Sequence, residues 1–374
     1  MTLTPASKYS VPVIKKDQPD DSYKFRPLPK PTGKYPYHLA VADVCAGISD
    51  QQVVFHMVGD TGSVRKADFQ RMVAGIMAGQ YQTGSDKSRP QFLYHLGDVV
   101  YNYGEAEHYY DQFFKPYEDY PGPILAIAGN HDSDVNPDST VRYQSLDAFA
   151  AVFCDTVARP IIFSRNAART SMVQPNIYWT LETPLANIIG LHSNVPKYGV
   201  ITDEQRNWFI DELKTADRER PGKLLIVCLH HAPYSADINH GSGLPMIGFL
   251  EGVFNETGIR PNIVFSGHVH NYQRFSKTYA DGVIVPYIVA GAGGYDELHA
   301  VATTDDERFT ADNPLFNGVQ LAHYCDTKHG FLKIGIEKTA TGLTLTSEYY
   351  TLPHEEATDQ ELTAILEDSF VLNF

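Results

Sequence analysis

Five short segments place acidic, amide, phenolic or imidazole side chains directly after an apolar stretch of the chain. In four of them a glycine precedes the polar residue, which allows the backbone to turn sharply there. Sites in open sheets form at the carboxyl ends of strands, where loops can point several side chains inward, so we expect these segments to converge. The segments are Gly59-Asp60-Thr61-Gly62, Gly97-Asp98-Val99-Val100-Tyr101, Gly129-Asn130-His131-Asp132, Val227-Cys228-Leu229-His230 and Gly267-His268-Val269-His270.

The donor groups of these segments form a chemically coherent set of metal ligands. Two carboxylates, a phenol, an amide and three imidazoles supply oxygen and nitrogen but no thiolate, which suits Fe, Mn or Zn and excludes a purely oxygen-ligated Ca²⁺ site. Seven ligands are too many for one catalytic metal that must keep an open position. They suit two metals, roughly 3.5–4 Å apart, that share a carboxylate. The candidate ligands are Asp60, Asp98, Tyr101, Asn130, His230, His268 and His270.

Each candidate ligand also has a simpler structural explanation. Asp is a common helix N-cap, and Asp and Asn are common in turns. A structural explanation must account for five coincidences separately, so we favour the metal site. The alternatives are an N-cap for Asp60, turns for Asp98 and Asn130, a packed surface aromatic for Tyr101, and a core imidazole for His268 or His270.

The five motifs occur in the order GDxG, GDxxY, GNH followed by an acid, VxxH and GHxH. In this order and spacing the chain resembles the calcineurin-like metallophosphoesterases and, more narrowly, purple acid phosphatases of the bacterial type, over roughly residues 53–295. The resemblance implies two metal sites that share one carboxylate. Asp60, Tyr101 and His270 would hold the first metal, Asn130, His230 and His268 the second, and Asp98 would bridge them.

Tyr101 decides the subclass. The wider family places a histidine two residues after its first Asp, where this chain has Gly62. The first metal would therefore lack that nitrogen ligand, and a tyrosinate can replace it. Because a phenolate is a hard anionic donor, we expect Fe³⁺ at the Tyr101 site and divalent Fe, Zn or Mn at the Asn130 site. With Tyr101 turned elsewhere, the chain would be a generic two-metal phosphoesterase.

Two further histidines are candidates for proton transfer. By the resemblance, His131 faces the substrate phosphate and is oriented by Asp132; a structural hydrogen bond to a neighbouring loop is the alternative. His240 resembles the second active-site histidine, although its spacing from the VxxH ligand is one residue longer than in the animal enzymes. An exposed loop histidine is its alternative. The VxxH spacing selects His230 over His231, which we expect to turn toward solvent or behind the ligands.

Apolar runs alternate with helical patterns from His38 onward, which indicates an α/β (α+β) fold. The resemblance implies two mixed β-sheets packed as a sandwich and flanked by helices, the four-layer αββα arrangement. Three helices are predicted. One covers residues 64–78 and another residues 356–366. The third begins at a capping box formed by Thr202 and Gln205 and ends at about Thr215. Strands are predicted over residues 53–58, 92–96, 124–128, 177–181, 187–191, 224–229, 263–265, 283–289, 331–336 and 343–349.

The chain divides into three predicted parts. Residues 1–36, with seven prolines, form an extended or surface-wrapped N-terminal arm, because proline lacks the N–H that helices and sheets need. The arm either packs along its own domain or reaches a neighbouring subunit. Residues 37–351 form the calcineurin-like domain, and residues 133–176 are an irregular insertion near its site. Residues 352–374 form a C-terminal helical tail.

The amino-acid composition limits the classes of partner and the cellular compartments that fit this chain. The chain of 374 residues carries 30 Lys and Arg against 45 Asp and Glu, a net charge of −15, which argues against a nucleic-acid partner. No apolar run approaches the roughly 20 residues of a membrane span, and the first 16 residues lack the apolar segment of a signal peptide. Four scattered cysteines suit a cytoplasmic protein with reduced thiols. A periplasmic or secreted protein whose signal has been trimmed would look the same.

We therefore expect a binuclear metal-dependent phosphatase that hydrolyses small phosphate monoesters by attack of a metal-bound hydroxide. The same metal pair can cleave phosphodiesters or pyrophosphates, nucleotides among them, and the insertion would then decide between these substrates. A non-catalytic metal-binding scaffold is a further alternative. Such proteins usually lose a ligand or the histidine after the asparagine, and both are present here. The sequence is also compatible with a homo-oligomer.

Overall fold

The computed structural model describes residues 6–65, 67–85, 88–353 and 363–374. The helices are α1 (Asp68–Thr83), α2 (Asn130–Ser133), α3 (Asp147–Phe153), α4 (Asp203–Asp217) and α5 (Leu244–Thr257). Short 3₁₀-helices lie at Ser22–Lys24, Val41–Asp43, Ala106–His108 and Pro314–Phe316, and a π-helix lies at Tyr110–Phe114. The strands are β1 (Ile14–Lys15), β2 (His38–Ala40), β3 (Gln52–Val58), β4 (Phe92–His95), β5 (Ile124–Ala126), β6 (Trp179–Glu182), β7 (Ala186–Gly190), β8 (Leu224–Leu229), β9 (Ile263–Ser266), β10 (Tyr272–Thr278), β11 (Ile284–Ala290), β12 (Phe309–Thr310), β13 (Val319–Cys325), β14 (Gly330–Lys338), β15 (Leu343–Thr351) and β16 (Ile365–Asn373).

Two mixed sheets form the centre of the molecule. The eight-stranded sheet has the order β13-β10-β11-β9-β8-β7-β6-β2, and the six-stranded sheet has the order β16-β15-β14-β3-β4-β5. β3, β4 and β5 are parallel neighbours in the smaller sheet, and β7, β8 and β9 are parallel neighbours in the larger sheet. The carboxyl ends of these strands therefore lie together at one edge of each sheet. A separate two-stranded sheet joins β1 to β12.

The inner faces of the two sheets share one apolar core. Phe55 and Leu332 of the six-stranded sheet belong to the same buried cluster as Ile226 of the eight-stranded sheet, and all three are fully buried. Full burial of each such side chain contributes about 1.5–3 kcal/mol to the stability of the folded protein. α1 covers the outer face of the smaller sheet, with Met77 in a second cluster, while Leu250 of α5 joins the first cluster from the opposite side. The predicted four-layer αββα fold is confirmed.

The predicted strands are confirmed to within two residues at their ends. β10 and β13 were not predicted, because polar and charged residues interrupt their apolar pattern. α1 begins at Asp68, four residues later than expected. Thr202 caps α4 by accepting a hydrogen bond from the Gln205 backbone at 3.2 Å. The Gln205 side chain bonds the backbone of His192 instead of Thr202, so only half of the predicted capping box forms. No helix within the described ranges is long and apolar enough to cross a membrane.

The N-terminal arm packs along its own domain. β1 pairs with β12 in antiparallel register, and the backbone of Val13 bonds both Ser235 and Ser242 at 2.9 and 2.8 Å. Further along, Arg26 and Asn194 exchange two hydrogen bonds of 2.8 Å between backbone and side chain. The arm is thereby fixed beside the strand ends that carry the five motifs.

The C-terminal tail departs from the prediction. The helix predicted over residues 356–366 is wrong at its C-terminal end, because β16 begins at Ile365 and pairs with β15 in antiparallel register. The predicted residues 356–362 lie outside the described part of the chain. Alternation of exposed and half-buried residues along β16 fits an edge strand with one solvated face. The proposed boundaries of arm, domain and tail stay predictions.

The insertion at residues 133–176 packs mainly beside the six-stranded sheet. Phe149 and Phe153 of α3 are buried in the cluster that also holds Met77 of α1. Asp134 is the member of this segment that lines the cavity beside the five motifs. Within the insertion, the contact with the cavity is therefore made at its first turn.

Candidate metal centre

Three of the candidate ligands occupy the left-handed region of backbone conformation. The φ angles are 58° at Asp60, 54° at Asp98 and 68° at His268. Such angles cost about 1–3 kcal/mol in residues other than glycine and persist where the surrounding structure enforces them, often at functional sites. Asp60 follows β3, Asp98 follows β4 and His268 follows β9 within a few residues. The tight turns aim these side chains toward one another across the ends of the two sheets.

Glycines at positions 97 and 129 let the loops approach one another closely. A Cβ atom on Gly129 would overlap the carboxylate of Asp98, and one on Gly97 would lie 2.7 Å from Nδ1 of His230. Gly97 also has a φ of 97°, which residues with a side chain rarely adopt. The glycines of the GD and GN motifs are therefore required for convergence.

Asn130, His230 and His268 bring their donor atoms to one point. Nδ1 of His230 donates to the Leu96 carbonyl at 2.9 Å, so Nε2 is the ring nitrogen that faces the site. That nitrogen lies 3.0 Å from Oδ1 of Asn130, and Nδ1 of His268 lies 2.9 Å from the same oxygen. In the metal-free protein these contacts are hydrogen bonds, whose protons a bound cation would displace. This group fits a cation site.

Asp60, Tyr101 and His270 form a second group of converging donors. Nδ1 of His270 donates to the Glu297 carbonyl at 3.1 Å, which leaves Nε2 facing the other two side chains. Nε2 lies 3.2 Å from the Tyr101 hydroxyl and 3.7 Å from Oδ1 of Asp60, and the hydroxyl lies 3.3 Å from that oxygen. The backbone N–H of His268 donates to both oxygens of Asp60 at 3.0 and 2.9 Å and fixes the carboxylate.

Asp98 lies between the two groups. Its Oδ2 is 3.3 Å from Nε2 of His230, and its Oδ1 accepts a hydrogen bond from the His131 backbone at 2.9 Å. Donor atoms of Asp60, Asp98 and His230 all lie within 4.8 Å of one another. This position suits a carboxylate shared by two metals.

In the metal-free protein these buried groups perturb one another's protonation. Burial alone would lower the pKa of His230, but the carboxylates of Asp98 and Asp60 raise it to about 9. Burial raises the pKa of Asp60 well above its ordinary value. Burial would also raise the pKa of Asp98, but the neighbouring His230 holds it below its usual range. Metal ligands bind in their deprotonated forms, so two cations here would displace protons from the cluster. The donor set, its burial and the convergence of the donor atoms fit a pair of metal ions.

Gln112, Val99 and Tyr101 together fill the space that a side chain at position 62 would need, with Oε1 of Gln112 only 2.5 Å from the Cβ position. A Cβ atom on Gly62 would lie 2.6 Å from the Val99 carbonyl and 3.0 Å from Cδ2 of Tyr101. Gln112 holds the backbone of Tyr101 through two hydrogen bonds of 2.8 Å. A side chain at position 62 is therefore incompatible with the present positions of the Val99 carbonyl and of Gln112, which holds Tyr101 in place. Burial and the carboxylate of Asp98 raise the pKa of Tyr101, so its phenol stays protonated until a cation replaces the proton.

His131 lies at the rim of the site, with its ring 4.3 Å from that of Tyr101. Its Nδ1 donates to the Asn102 carbonyl at 2.8 Å, which leaves Nε2 as the nitrogen that can exchange a proton. The prediction that Asp132 orients this ring is wrong. Asp132 instead accepts hydrogen bonds of 2.9–3.0 Å from the backbone N–H groups of Gly129, Val99 and Val100.

His240 stands beside the Asn130 group and is not an exposed loop residue. Its ring centroid is 4.2 Å from that of His268 and 5.1 Å from that of His299. Its backbone N–H donates to Asp237 at 3.1 Å. Burial lowers the pKa of His240 to about 3, and Nδ1 has no hydrogen-bond partner among the described residues.

The structure resolves the choice between His230 and His231. His230 points into the site, as the VxxH spacing predicts, and His231 bonds Oγ of Ser193 through Nδ1 at 2.7 Å. His231 is buried behind the ligands and does not face solvent.

Four of the seven candidate ligands line an open cavity of about 500 Å³, namely Asp98, Asn130, His268 and His270. Several lining residues were not found by sequence reasoning, because they belong to no motif and approach the site only through the fold. They are Asp21 and Lys24 of the arm, Asn102, Tyr103, Asp134, Val195, Lys197, Asn239, Tyr295, Glu297 and His299. The prolines marked the arm as extended, but no sequence signal indicated where it would pack.

Comparison with known proteins identifies the family of the chain. The model of the Calcineurin-like phosphoesterase family matches residues 53–272. Purple acid phosphatase 21 of Arabidopsis thaliana is 32% identical over 131 residues, which are 34% of this chain and 29% of that protein. The chain thus spans about a third of the length of this curated relative.

Two solved structures share the fold. The structure of PhoD has a TM-score of 0.52 and 14% identity, covering 92% of this chain and 71% of that chain. The structure of GAP50, described as the anchor in the inner membrane complex of Plasmodium, has a TM-score of 0.53 and 13% identity, covering 84% of this chain and 89% of that chain. At such identities the likeness shows the fold alone.

Proposed function

We propose that this chain, which belongs to the calcineurin-like phosphoesterase family, holds two metal ions and hydrolyses small phosphate monoesters. The observation that carries the proposal is the convergence of two groups of oxygen and nitrogen donors on either side of Asp98, at the wall of an open cavity of about 500 Å³. The fold alone does not establish a hydrolytic activity, since a protein described as an anchor shares the fold.

Each metal would have its own set of ligands. Asp60, Tyr101 and His270 would hold Fe³⁺, because a buried phenolate prefers a hard trivalent ion. Asn130, His230 and His268 would hold divalent Fe, Zn or Mn, and Asp98 would be shared. When bound, the pair would supply positive charge for a phosphate and a water that ionises near neutral pH.

The two histidines at the rim would handle protons and orient the substrate. The Asn102 carbonyl fixes the ring of His131, so Nε2 can donate a proton to the departing alkoxide. His240 lies beside His268 of the Asn130 group, with the ring centroids 4.2 Å apart. From there it can contact an oxygen of the bound phosphate. Neutral His240 suits a hydrogen bond rather than a charge, because burial lowers its pKa to about 3.

The proposal is tested by turnover of 4-nitrophenyl phosphate beside bis(4-nitrophenyl) phosphate in metal-loaded protein. We expect the monoester to be preferred, and Asn130→Ala to reduce kcat by a factor of about 10²–10⁴. Asp138→Asn, at an exposed position outside the cavity, is the matched control and should retain activity. A preference for the diester would favour the phosphodiesterase alternative. Metal-loaded protein without turnover of either ester would favour a scaffold.

A further inference from the structure

We propose that Lys15 and Lys197 form an anion subsite at the rim of the metal cavity, which receives a second phosphate group of the substrate. The inference rests on the proposed function and narrows its substrate class to small molecules that carry two phosphate groups. One phosphate would lie at the metals and the other at the two lysines.

The two ammonium groups converge on one acceptor. Nζ of Lys15 and Nζ of Lys197 each donate to the carbonyl oxygen of Asn239 at 3.3 Å. Asn239 directly precedes His240, and both residues line the metal cavity together with Lys197. Two positive charges are therefore held close together beside the candidate catalytic histidine.

These charges lack carboxylate partners. Within the described ranges, neither Lys15 nor Lys197 forms an ion pair; a carbonyl oxygen is the acceptor of both. The nearby Asp21 pairs with Lys24 at 3.4 Å and accepts from the Lys197 backbone at 3.1 Å. Burial and the charge of Lys15 lower the pKa of Lys197, which reflects their mutual repulsion. Such repulsion in a chain of net charge −15 is relieved by an anion bound between the two groups.

The arm holds Lys15 rigidly against the loop of His240. Lys15 lies in β1, and its neighbour Ile14 bridges Gly241 in antiparallel fashion. A Cβ atom on Gly241 would lie 2.9 Å from the Lys15 backbone nitrogen, so the two backbones are in close contact. An ammonium group fixed before binding loses less conformational freedom when it meets a phosphate.

Binding of non-hydrolysable phosphonates to metal-loaded protein tests the subsite. Calorimetry would compare propane-1,3-bisphosphonate with propylphosphonate in the wild type, in the double variant Lys15→Gln/Lys197→Gln, and in Lys16→Gln. Lys16 is exposed and adjacent in the chain, so it is the matched control. We expect the wild type and the control to bind the bisphosphonate at least about tenfold more tightly.

The double variant decides between the lysines and the metals as the source of this preference. We expect its preference to fall to about twofold or less, and Lys15→Arg/Lys197→Arg to restore it, because arginine also donates to phosphate. Equal affinities in the wild type, or a preference that survives in the double variant through chelation by the metals, would overturn the subsite. Retention of the wild-type circular dichroism spectrum shows that the variants are folded.

Turnover of 4-nitrophenyl phosphate by the same wild-type preparation separates the two proposals. Turnover without bisphosphonate preference removes the subsite and leaves the phosphatase. Bisphosphonate preference without turnover removes the phosphatase and leaves an anion-binding cavity that depends on the two lysines.

Discussion

Nε2 of His230 lies 3.3 Å from Oδ2 of Asp98, and both side chains are almost completely buried. Asp98 follows β4 of the six-stranded sheet, whereas His230 follows β8 of the eight-stranded sheet. The contact therefore joins the two halves of the sandwich, and the proposed metal centre exists only when both sheets are packed together.

Replacement of Asp98 tests the shared carboxylate. Asp98→Asn retains the volume of the side chain but removes the charge that would lie between two cations. We expect kcat for 4-nitrophenyl phosphate to fall by a factor of about 10²–10⁴. Near-wild-type turnover in folded, metal-loaded protein would rule out a bridging role.

His131 is expected to protonate the leaving group. His131→Gln should reduce kcat for an alkyl phosphate by a factor of about 10²–10⁴, and much less for 4-nitrophenyl phosphate, whose leaving group needs no proton. His108→Gln, with a side chain 38% exposed, is the control and should leave both rates unchanged. Equal losses on both substrates would assign His131 to binding rather than proton transfer.

Position 62 tests why this chain uses a tyrosine. In Gly62→Ala the new methyl group would press on the Val99 carbonyl and on the Tyr101 ring. We expect a loss of about 1–3 kcal/mol in the free energy of unfolding, and a change in the visible tyrosinate-to-iron band of the iron-loaded protein. Gly79→Ala is the control, because nothing lies within 4 Å of its Cβ position in α1. Equal effects of the two changes would contradict the steric account.

The convergence of the motif residues could be predicted, because each motif follows a strand that is recognisable in the sequence as an apolar run. Their orientation could not be predicted, since it depends on backbone groups that belong to no motif. The Asn102 carbonyl, for example, orients His131 in place of Asp132. The Leu96 carbonyl likewise selects the nitrogen that His230 presents.

Elements that form by pairing with distant parts of the chain could also not be predicted from the sequence. The amphipathic helix predicted over residues 356–366 overlaps the start of β16, where pairing with β15 makes the chain a strand. The arm carries Lys24 to the cavity and Lys15 beside it through contacts with distant parts of the chain, among them the pairing of β1 with β12, almost three hundred residues later. Tertiary pairing of this kind overrides local propensity.

His56 gives a pH dependence of stability that is independent of the metal centre. It is fully buried between Gln80 and Tyr120, and burial lowers its pKa to about 3. The unfolded chain takes up this proton near pH 6.5, so stability present above that pH is lost as the pH falls toward 3. We expect His56→Gln to reduce the slope of the unfolding free energy between pH 6 and about 4 by about 1.4 kcal/mol per pH unit. An unchanged slope in urea titrations would contradict the assignment.

Elemental analysis of metal content per chain tests the central claim most directly. After loading with iron and zinc and removal of free metal, we expect two ions per wild-type chain and about one in Asn130→Ala. The ion that remains would be held by Asp60, Tyr101 and His270. Fewer than two ions in the wild type, or two in the variant, would contradict a binuclear centre built from these residues.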